Sequence, residues 1–216
     1  MKLNTNSNIY TFVYMTVVVI IVAVLLAVVS QALKPLQDKN KRLDMQKQIL
    51  GAIKVDYSNG DPEEIFNVLI TDTIRLGKDS IYVANLNGAT KYILPLSGKG
   101  LWGGIGGYLA LDEDKNTIYG VNFNHDSETP GLGAKIVEPE FRSQFEGKHI
   151  RNAEGAVVSV AVLKAGKHAE GQEQVDAISG ATITSTGVST MLNEELVNNY
   201  VEFLNEKEVE DVESED

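Results

Sequence analysis

Residues 176–186, DAISGATITST, contain five hydroxyl groups, one glycine and one carboxylate, but no histidine, lysine or cysteine. Small side chains and free amides at the start of a helix suit a bound phosphate. The structural alternative is a helix cap, because serine and threonine often accept hydrogen bonds from the first helical amides. The stretch lacks the lysine of a P-loop and the histidine base of a hydrolytic nucleophile. Any reaction at these hydroxyls must therefore be activated from elsewhere.

Residues 98–103, GKGLWG, match the pattern G-x-G-x-x-G. A dinucleotide-binding fingerprint needs a helix to open within it, and the further glycines at 104, 106 and 107 disfavour a helix. What these glycines supply is backbone that can approach a flat ligand closely. Trp102, the only tryptophan in the chain, is either a core anchor, which we favour, or a wall beside an aromatic cofactor.

Residues 125–136, HDSETPGLGAKI, form a second glycine-containing stretch with a proline at its centre. Pro130 and the glycines beside it predict a rigid turn with exposed amides. Glu128 and Thr129 add an acceptor and a hydroxyl, which suit hydrogen bonds to a ligand with imide and ring nitrogens. The structural alternative is a plain loop after a strand.

Composition excludes several classes of protein. The chain has 19 Lys and Arg against 30 Asp and Glu, so no basic stripe is available for nucleic acid. Because it has no cysteine, disulfides, thiolate-bound zinc, cysteine-ligated iron–sulfur clusters and a lipidated cysteine are excluded. His125, His149 and His168 show no metal-ligand spacing and are interpreted as surface residues. Redox chemistry here needs a cofactor that requires neither thiolates nor imidazoles.

Residues 9–29 are apolar apart from Thr11 and Thr16, and no charge occurs between Lys2 and Lys34. At about 1.5 Å per residue this segment spans roughly 31 Å, the thickness of a hydrocarbon core. A core helix is rarely apolar on every face, and the apolar run of a signal peptide covers only about 7–15 residues. We therefore predict a retained single-pass membrane helix over residues 9–30, after a short segment over residues 1–8.

The charges beside this helix predict that the following domain is cytoplasmic. Lys34, Lys39, Lys41 and Arg42 follow the helix, whereas only Lys2 and the amino terminus precede it. Basic residues prefer the cytoplasmic side, although long domains translocate largely regardless of flanking charge.

Beyond the membrane segment the pattern changes repeatedly between helical and strand periodicity. We predict an amphipathic helix at 36–55, a helix capped by Asp61 and Pro62 that ends near Gly77, strands at 81–84 and 91–96, a hairpin at 108–124, a short helix at 138–147, a buried strand at 156–164 and a last helix from Ser185. Helices mixed with hairpin strands indicate an α+β fold. The expected organisation is a helical lead-in at 31–60, one mixed helix and antiparallel-sheet domain at 61–205 and an acidic tail at 206–216.

The three stretches together resemble a known family. Residues 176–182, DAISGAT, look like the flavinylation motif D-x-x-S-G-A-T, whose last threonine carries FMN through a phosphodiester bond. The segments GKGLWG and ETPGLG are similar to the other segments of the same FMN-binding domain. With one amino-terminal membrane helix, the pattern resembles the C subunits of sodium-translocating NADH:quinone oxidoreductases, a family related to the G subunits of Rnf-type electron-transport complexes.

The resemblance implies roles for particular residues. Thr182 is the expected site of covalent FMN attachment. A flavin transferase, which installs FMN from FAD, is expected to recognise Asp176, Ser179, Gly180 and Ala181, while Thr184 and Ser185 help to hold the phosphate. The isoalloxazine ring is expected to lie against Glu128, Thr129, Gly131, Leu132, Trp102 and Gly103. The base that activates the threonine then belongs to the transferase, and no catalytic residue or metal ligand is expected in this chain.

The resemblance also implies a function and a location. The chain is expected to relay single electrons within a sodium-pumping NADH:quinone oxidoreductase, with other subunits of that complex as partners. The family places this domain on the periplasmic side of the bacterial inner membrane, against the charge bias beside the helix. Two alternatives are the equivalent subunit of an Rnf-type complex and a membrane-anchored binding domain without redox chemistry.

Overall fold

The computed structural model describes residues 7–77, 79–164 and 166–206. Its first element is a continuous helix, α1, over Asn8–Ala52. Among the described residues this is the one helix long and apolar enough to cross a membrane, and its most apolar 18-residue window has a mean hydropathy of 3.1 with no residue buried. The predicted membrane segment and the predicted amphipathic helix after it are thus one helix, which runs through Pro35 without ending.

The chain divides into two units, one ending at Met45 and the other beginning at Gln46. The second unit contains a five-stranded antiparallel sheet in which each strand pairs with the next along the chain. Its strands are β1 (Ile70–Leu76), β2 (Asp79–Leu86), β3 (Ala89–Lys99), β4 (Gly104–Asp112) and β5 (Ile118–His125). The predicted strands at 81–84 and 91–96 and the predicted hairpin at 108–124 are confirmed. The expected α+β class with an antiparallel sheet is confirmed as well.

The predicted helix from Asp61 to Gly77 is wrong in its second half. Asp61 does cap a helix, since its carboxylate accepts a hydrogen bond from the amide of Glu63 over 3.0 Å. This helix, α2, covers only Pro62–Leu69, and the chain continues directly into β1. Residues 70–76, ITDTIRL, are rich in β-branched side chains, and pairing with β2 satisfies their backbone groups.

Each face of the sheet is covered by a different part of the domain. One face contributes the main core, where residues such as Leu94, Leu109 and Phe123 pack beside Leu192 of a later helix. The other face receives the end of α1, where the side-chain amides of Asn122 and Asn124 donate to the backbone carbonyl and to the side chain of Gln48. The last turns of α1 thus belong to the domain.

After β5 the chain forms short elements and then the final helices. The 3-10 turns Gly133–Val137 and Ser143–Phe145 flank α3 (Pro139–Arg142), which confirms the predicted short helix at 138–147. Strands β6 (Ala161–Val162) and β7 (Gln174–Val175) form a parallel pair, and α4 (Thr182–Asn193), a π-helical turn (Glu194–Asn199) and α5 (Val201–Asn205) complete the described chain. The predicted acidic tail lies outside the described residues except for Glu206, as does the predicted amino-terminal segment except for Ser7 and Asn8.

The predicted buried strand at 156–164 is wrong apart from two residues. Only Ala161 and Val162 pair as a strand, although Val160 and Val162 are buried as expected. Ser159 has a φ of 68°, in the left-handed region that interrupts an extended chain. The last helix also differs from its prediction, because it begins at Thr182 and not near Ser185.

Candidate functional site

The loop between β3 and β4 presents apolar side chains to solvent. The two strands pair up to Lys99 and Gly104, and the amide of Gly100 donates to the carbonyl of Gly103 over 2.9 Å, which closes a four-residue turn. Leu101 and Trp102 lie in this turn and are 45% and 67% exposed. The favoured interpretation of Trp102 as a core anchor is therefore wrong. A large aromatic side chain exposed to this degree is available to a flat ligand.

The loop after β5 folds back towards the helix α4. The amides of Leu132 and Ala134 both donate to the carbonyl of Thr129 over 3.1 Å, and Gly131 has a φ of 74°, which favours glycine. Thr129 and Leu132 are exposed. The side chain of Leu132 lies beside Gly180, since a Cβ at Gly180 would be 3.0 Å from its Cδ2. Tertiary structure thus brings the ETPGLG loop against the DAISGAT stretch.

Asp176 is held by its own surroundings. Its carboxylate accepts a hydrogen bond from the amide of Ala169 over 2.6 Å, and His168 Nδ1 lies 3.3 Å from its second oxygen. Its amide donates to Gln144 Oε1 over 2.8 Å. The Ala169 amide, followed by His168, holds the pKa of Asp176 below its usual value. Asp176 therefore fixes the loop that leads into the motif. His168 is exposed, as expected from the sequence, but its contact with Asp176 was not predicted.

Thr182 is the first residue of α4 and is exposed, as are Ser179 and Gly180 before it. The cap position is occupied by Ala181, and no side chain of the described residues caps the helix. The hydroxyl of Ser185 instead accepts the amide hydrogen of Ile178 over 3.2 Å in the interior. The alternative of a hydroxyl-rich cap is therefore wrong. The first amides of α4 stay available to an external anion beside Thr182.

Glu128 is buried beneath this surface, with 4% of its area exposed. One carboxylate oxygen accepts from the amide of Trp102 over 2.9 Å, and the other accepts from the hydroxyl of Thr184 over 2.6 Å. Burial favours the neutral acid, but these bonds and the amides of Leu101 and Gly103 outweigh it, so the pKa of Glu128 lies below its usual value. Both oxygens are thus engaged with the protein, and the carboxylate lies behind the surface that was expected to contact a ligand.

Two glycines of the sequence motifs make room for this carboxylate. A Cβ at Gly100 or at Gly133 would overlap an oxygen of Glu128, and one at Gly133 would also overlap the hydroxyl of Thr184. Gly103 is in a similar position against the hydroxyl of Ser127. The glycines were expected to let a flat ligand approach the backbone. In the structure these three let other side chains of the protein approach it.

The candidate site is therefore a surface built from three segments far apart in sequence. Leu101 and Trp102 lie on the first, Leu132 on the second, and Thr182 and Ile183 on the third, and all are exposed. Sequence reasoning missed Lys135, which lines one pocket together with Ser179 and so places a lysine beside a motif that lacks one. In the sequence, only the position of Lys135 directly after the ETPGLG loop indicated that it could belong to the site.

Comparison with known proteins identifies the class of domain to which this fold and site belong. The FMN-binding domain family matches residues 100–197, a range that includes residues 100–103 of the first segment and the whole of the other two. An exposed hydroxyl, free helical amides and exposed apolar side chains fit a phosphate joined to a flat ring.

The relatives narrow the class to one family. In an alignment 240 positions long, the chain is 29% identical to the C subunit of the Na⁺-translocating NADH-quinone reductase of Pseudomonas aeruginosa. The alignment covers 88% of this chain and 92% of the relative. It is 30% identical to the C subunit from Pasteurella multocida, covering 77% of this chain and 81% of that one. The crystal structure of the C subunit from Parabacteroides distasonis superposes with a TM-score of 0.74 at 42% identity, over 81% of this chain and 98% of that one. The chain belongs to the family of C subunits of Na⁺-translocating NADH-quinone reductases.

Proposed function

We propose that this protein is the electron-carrying flavoprotein subunit of a sodium-pumping NADH:quinone oxidoreductase, with FMN bound covalently to Thr182 through a phosphodiester. The observation that carries the proposal is the position of Thr182, exposed at the first turn of a helix that no side chain of the described residues caps. The relatives, which are C subunits of the sodium pump, favour that complex over the alternative of an Rnf-type complex.

The attachment reaction is a phosphoryl transfer from FAD to the hydroxyl of Thr182. The threonine oxygen forms a bond to the phosphorus that carries the riboflavin, the bond to the AMP phosphate breaks, and AMP leaves. The hydroxyl proton passes to a base of the flavin transferase, because no titratable side chain of this chain is hydrogen-bonded to Thr182 among the described residues. Asp176, Ser179 and Gly180 lie on the surface that the transferase recognises, and Ala181, which is buried, holds this part of the motif against the core.

The residues around Thr182 then hold the bound group. The first amides of α4 lie where they can bind the phosphate, and Thr184 contributes through its backbone amide, since its hydroxyl donates to Glu128 in the interior. Ser185 contributes only indirectly, because its amide donates to the carbonyl of Ala181 over 2.9 Å and its hydroxyl accepts from the amide of Ile178. The isoalloxazine ring is proposed to lie against the surface formed by Leu101, Trp102, Gly103, Thr129, Gly131 and Leu132. FMN supplies one-electron chemistry when bound. The protein holds it at an open surface, where partner subunits can approach closely enough for electron transfer.

The helix α1 is proposed to anchor the protein in the bacterial inner membrane as a single span. Its apolar window is exposed along its whole length, which costs free energy in water and stabilises the helix in lipid. We propose that the domain lies on the periplasmic side, where a covalent bond prevents loss of the flavin. The basic residues that follow the span oppose this orientation, but they are few and the domain is long.

The test is the intact mass of the full chain after co-expression with the flavin transferase. The wild-type protein is expected to carry one FMN, and Thr182→Ala is expected to carry none. Thr186→Ala is the matched control, because Thr186 is an exposed threonine one helical turn later whose hydroxyl donates to the carbonyl of Thr182 over 2.9 Å. A wild-type protein without the adduct, or Thr182→Ala with it, would show that the proposal is wrong.

A further inference from the structure

Glu128 is a buried carboxylate that has no cationic partner among the described residues. The ion pairs of the described residues join Lys54 to Glu146, Lys91 to Asp112 and His168 to Asp176, and none includes Glu128. Burying a charge without a counter-ion is costly, so the hydrogen bonds to its carboxylate must offset the cost of removing it from water. Such a group contributes little net stability relative to an apolar side chain. A role in arranging the surface above it accounts for its presence better.

The carboxylate connects the three segments of the candidate site. It lies on the ETPGLG loop. It accepts a hydrogen bond from the amide of Trp102, in the loop between β3 and β4, and another from the hydroxyl of Thr184, in the first turn of α4. Glu128 and Thr184 are 56 residues apart in sequence, and both are buried. Gly100 and Gly133 pack so closely on the carboxylate that a larger residue at either position would displace it.

The bond to Thr184 also determines where Thr182 points. Successive residues of an α-helix are rotated by about 100° around the axis, so residues two apart lie on nearly opposite sides. When Thr184 is fixed towards the interior, Thr182 faces outwards. This agrees with the structure, in which Thr184 is 1% exposed and Thr182 belongs to the exposed class.

We propose that Glu128 is a positioning residue for flavin attachment: by fixing Thr184 inwards and holding the amide of Trp102, it presents the Thr182 hydroxyl outwards. In this proposal Glu128 contacts neither the hydroxyl of Thr182 nor the flavin ring. The inference rests on the proposed function, since it assumes that Thr182 is the acceptor. It replaces the expectation that Glu128 binds the ligand directly.

The experiment measures the rate at which purified full-length protein, made without the transferase, gains FMN when transferase and FAD are added. Glu128→Gln removes the charge that strengthens both hydrogen bonds, and Thr184→Val removes one of the bonds, so each is expected to slow the reaction by about tenfold. Thr184→Ser keeps the hydroxyl and is expected to react at nearly the wild-type rate. Once loaded, the flavin of Glu128→Gln is expected to show lower fluorescence anisotropy, because the loop beside it is less firmly held.

A general loss of stability is separated from positioning by Val188→Ala. Val188 is fully buried in the same helix but has no part in the site, so its truncation lowers the melting temperature while leaving the attachment rate near that of the wild type. The inference is overturned if Val188→Ala reacts as slowly as Glu128→Gln at an equal melting temperature, or if Glu128→Gln reacts at the wild-type rate. Failure of the wild-type protein to gain FMN on Thr182 would instead overturn the proposed function.

Discussion

The hydroxyl of Ser185 accepts the amide hydrogen of Ile178 over 3.2 Å, and this bond closes residues 178–185 into a compact turn at the start of α4. Ser185 is 2% exposed, so no water can replace the bond. The turn holds Gly180 in a left-handed conformation, with a φ of 76°, immediately before the helix. The position of Thr182 is therefore determined by a buried bond that its neighbours in sequence make.

Ser185→Ala should destabilise the protein. It leaves the Ile178 amide buried without an acceptor, which costs about 1–3 kcal/mol of unfolding free energy. Thr186→Ala, which removes an exposed hydroxyl from the next position, should change stability by about 0.5 kcal/mol or less. Denaturant unfolding of both variants in the same detergent checks the difference. Equal stabilities would show that the Ser185 bond contributes nothing.

The stability that Glu128 contributes should depend on pH. Because the folded pKa of Glu128 lies below its usual value of 4.5, its contribution is present above that value and is lost as the pH falls through the folded pKa. Glu128→Gln cannot ionise, so it should be less stable than wild type by about 1–2 kcal/mol at pH 7. The difference should shrink in acid below pH 4.5. Unfolding of both proteins from pH 7 downwards measures it, and a difference independent of pH would contradict the assignment.

Gly133→Ala should destabilise the domain because its Cβ would overlap both Glu128 and Thr184. Overpacking of this kind costs about 1–3 kcal/mol. Gly171→Ala is the matched control, since its nearest non-neighbouring atom would be 3.9 Å away and its φ is not in the left-handed region. Melting temperatures of the two variants decide the point. If they are equal, the site around Glu128 has more room than the structure shows.

Trp102→Ala should leave the fold intact and change the flavin. With 67% of its surface exposed, the side chain contributes little packing, so the unfolding free energy should change by about 0.5 kcal/mol or less. An indole stacked on a flavin quenches flavin emission, and its removal should make the attached FMN brighter. Steady-state fluorescence of samples with equal FMN content checks this. Unchanged emission would mean that the ring does not lie against Trp102.

The side of the membrane can be tested with single cysteines, because the natural chain contains none. A membrane-impermeant maleimide added to intact cells with a permeable outer membrane should label Glu154→Cys, an exposed position of the domain. It should not label Ser7→Cys, which precedes α1, until the inner membrane is opened. The opposite pattern would place the domain in the cytoplasm, as the flanking charges predict.

Local patterns in the sequence were sufficient for much of the fold. The apolar span within α1, the cap at Asp61 and the strands β2 to β5 could be predicted, since each depends on the periodicity or turn chemistry of neighbouring residues. The three motifs of the site and the choice of Thr182 also came from the sequence, through the resemblance to a family. The error at Ile70 arose because pairing with β2 outweighs helical propensity, and no local pattern records a partner strand.

What tertiary structure alone decided is which side chains face inwards. Residue type alone favoured Trp102 as a core anchor, whereas the resemblance made both Trp102 and Glu128 contacts of the flavin; the structure places Trp102 outside and Glu128 inside. Burial at these positions depends on contacts between segments far apart in the chain, such as the bond from Thr184 to Glu128 across 56 residues. Composition and spacing identify the chemistry of such groups. Only the packing of the three segments determines which of them meet solvent.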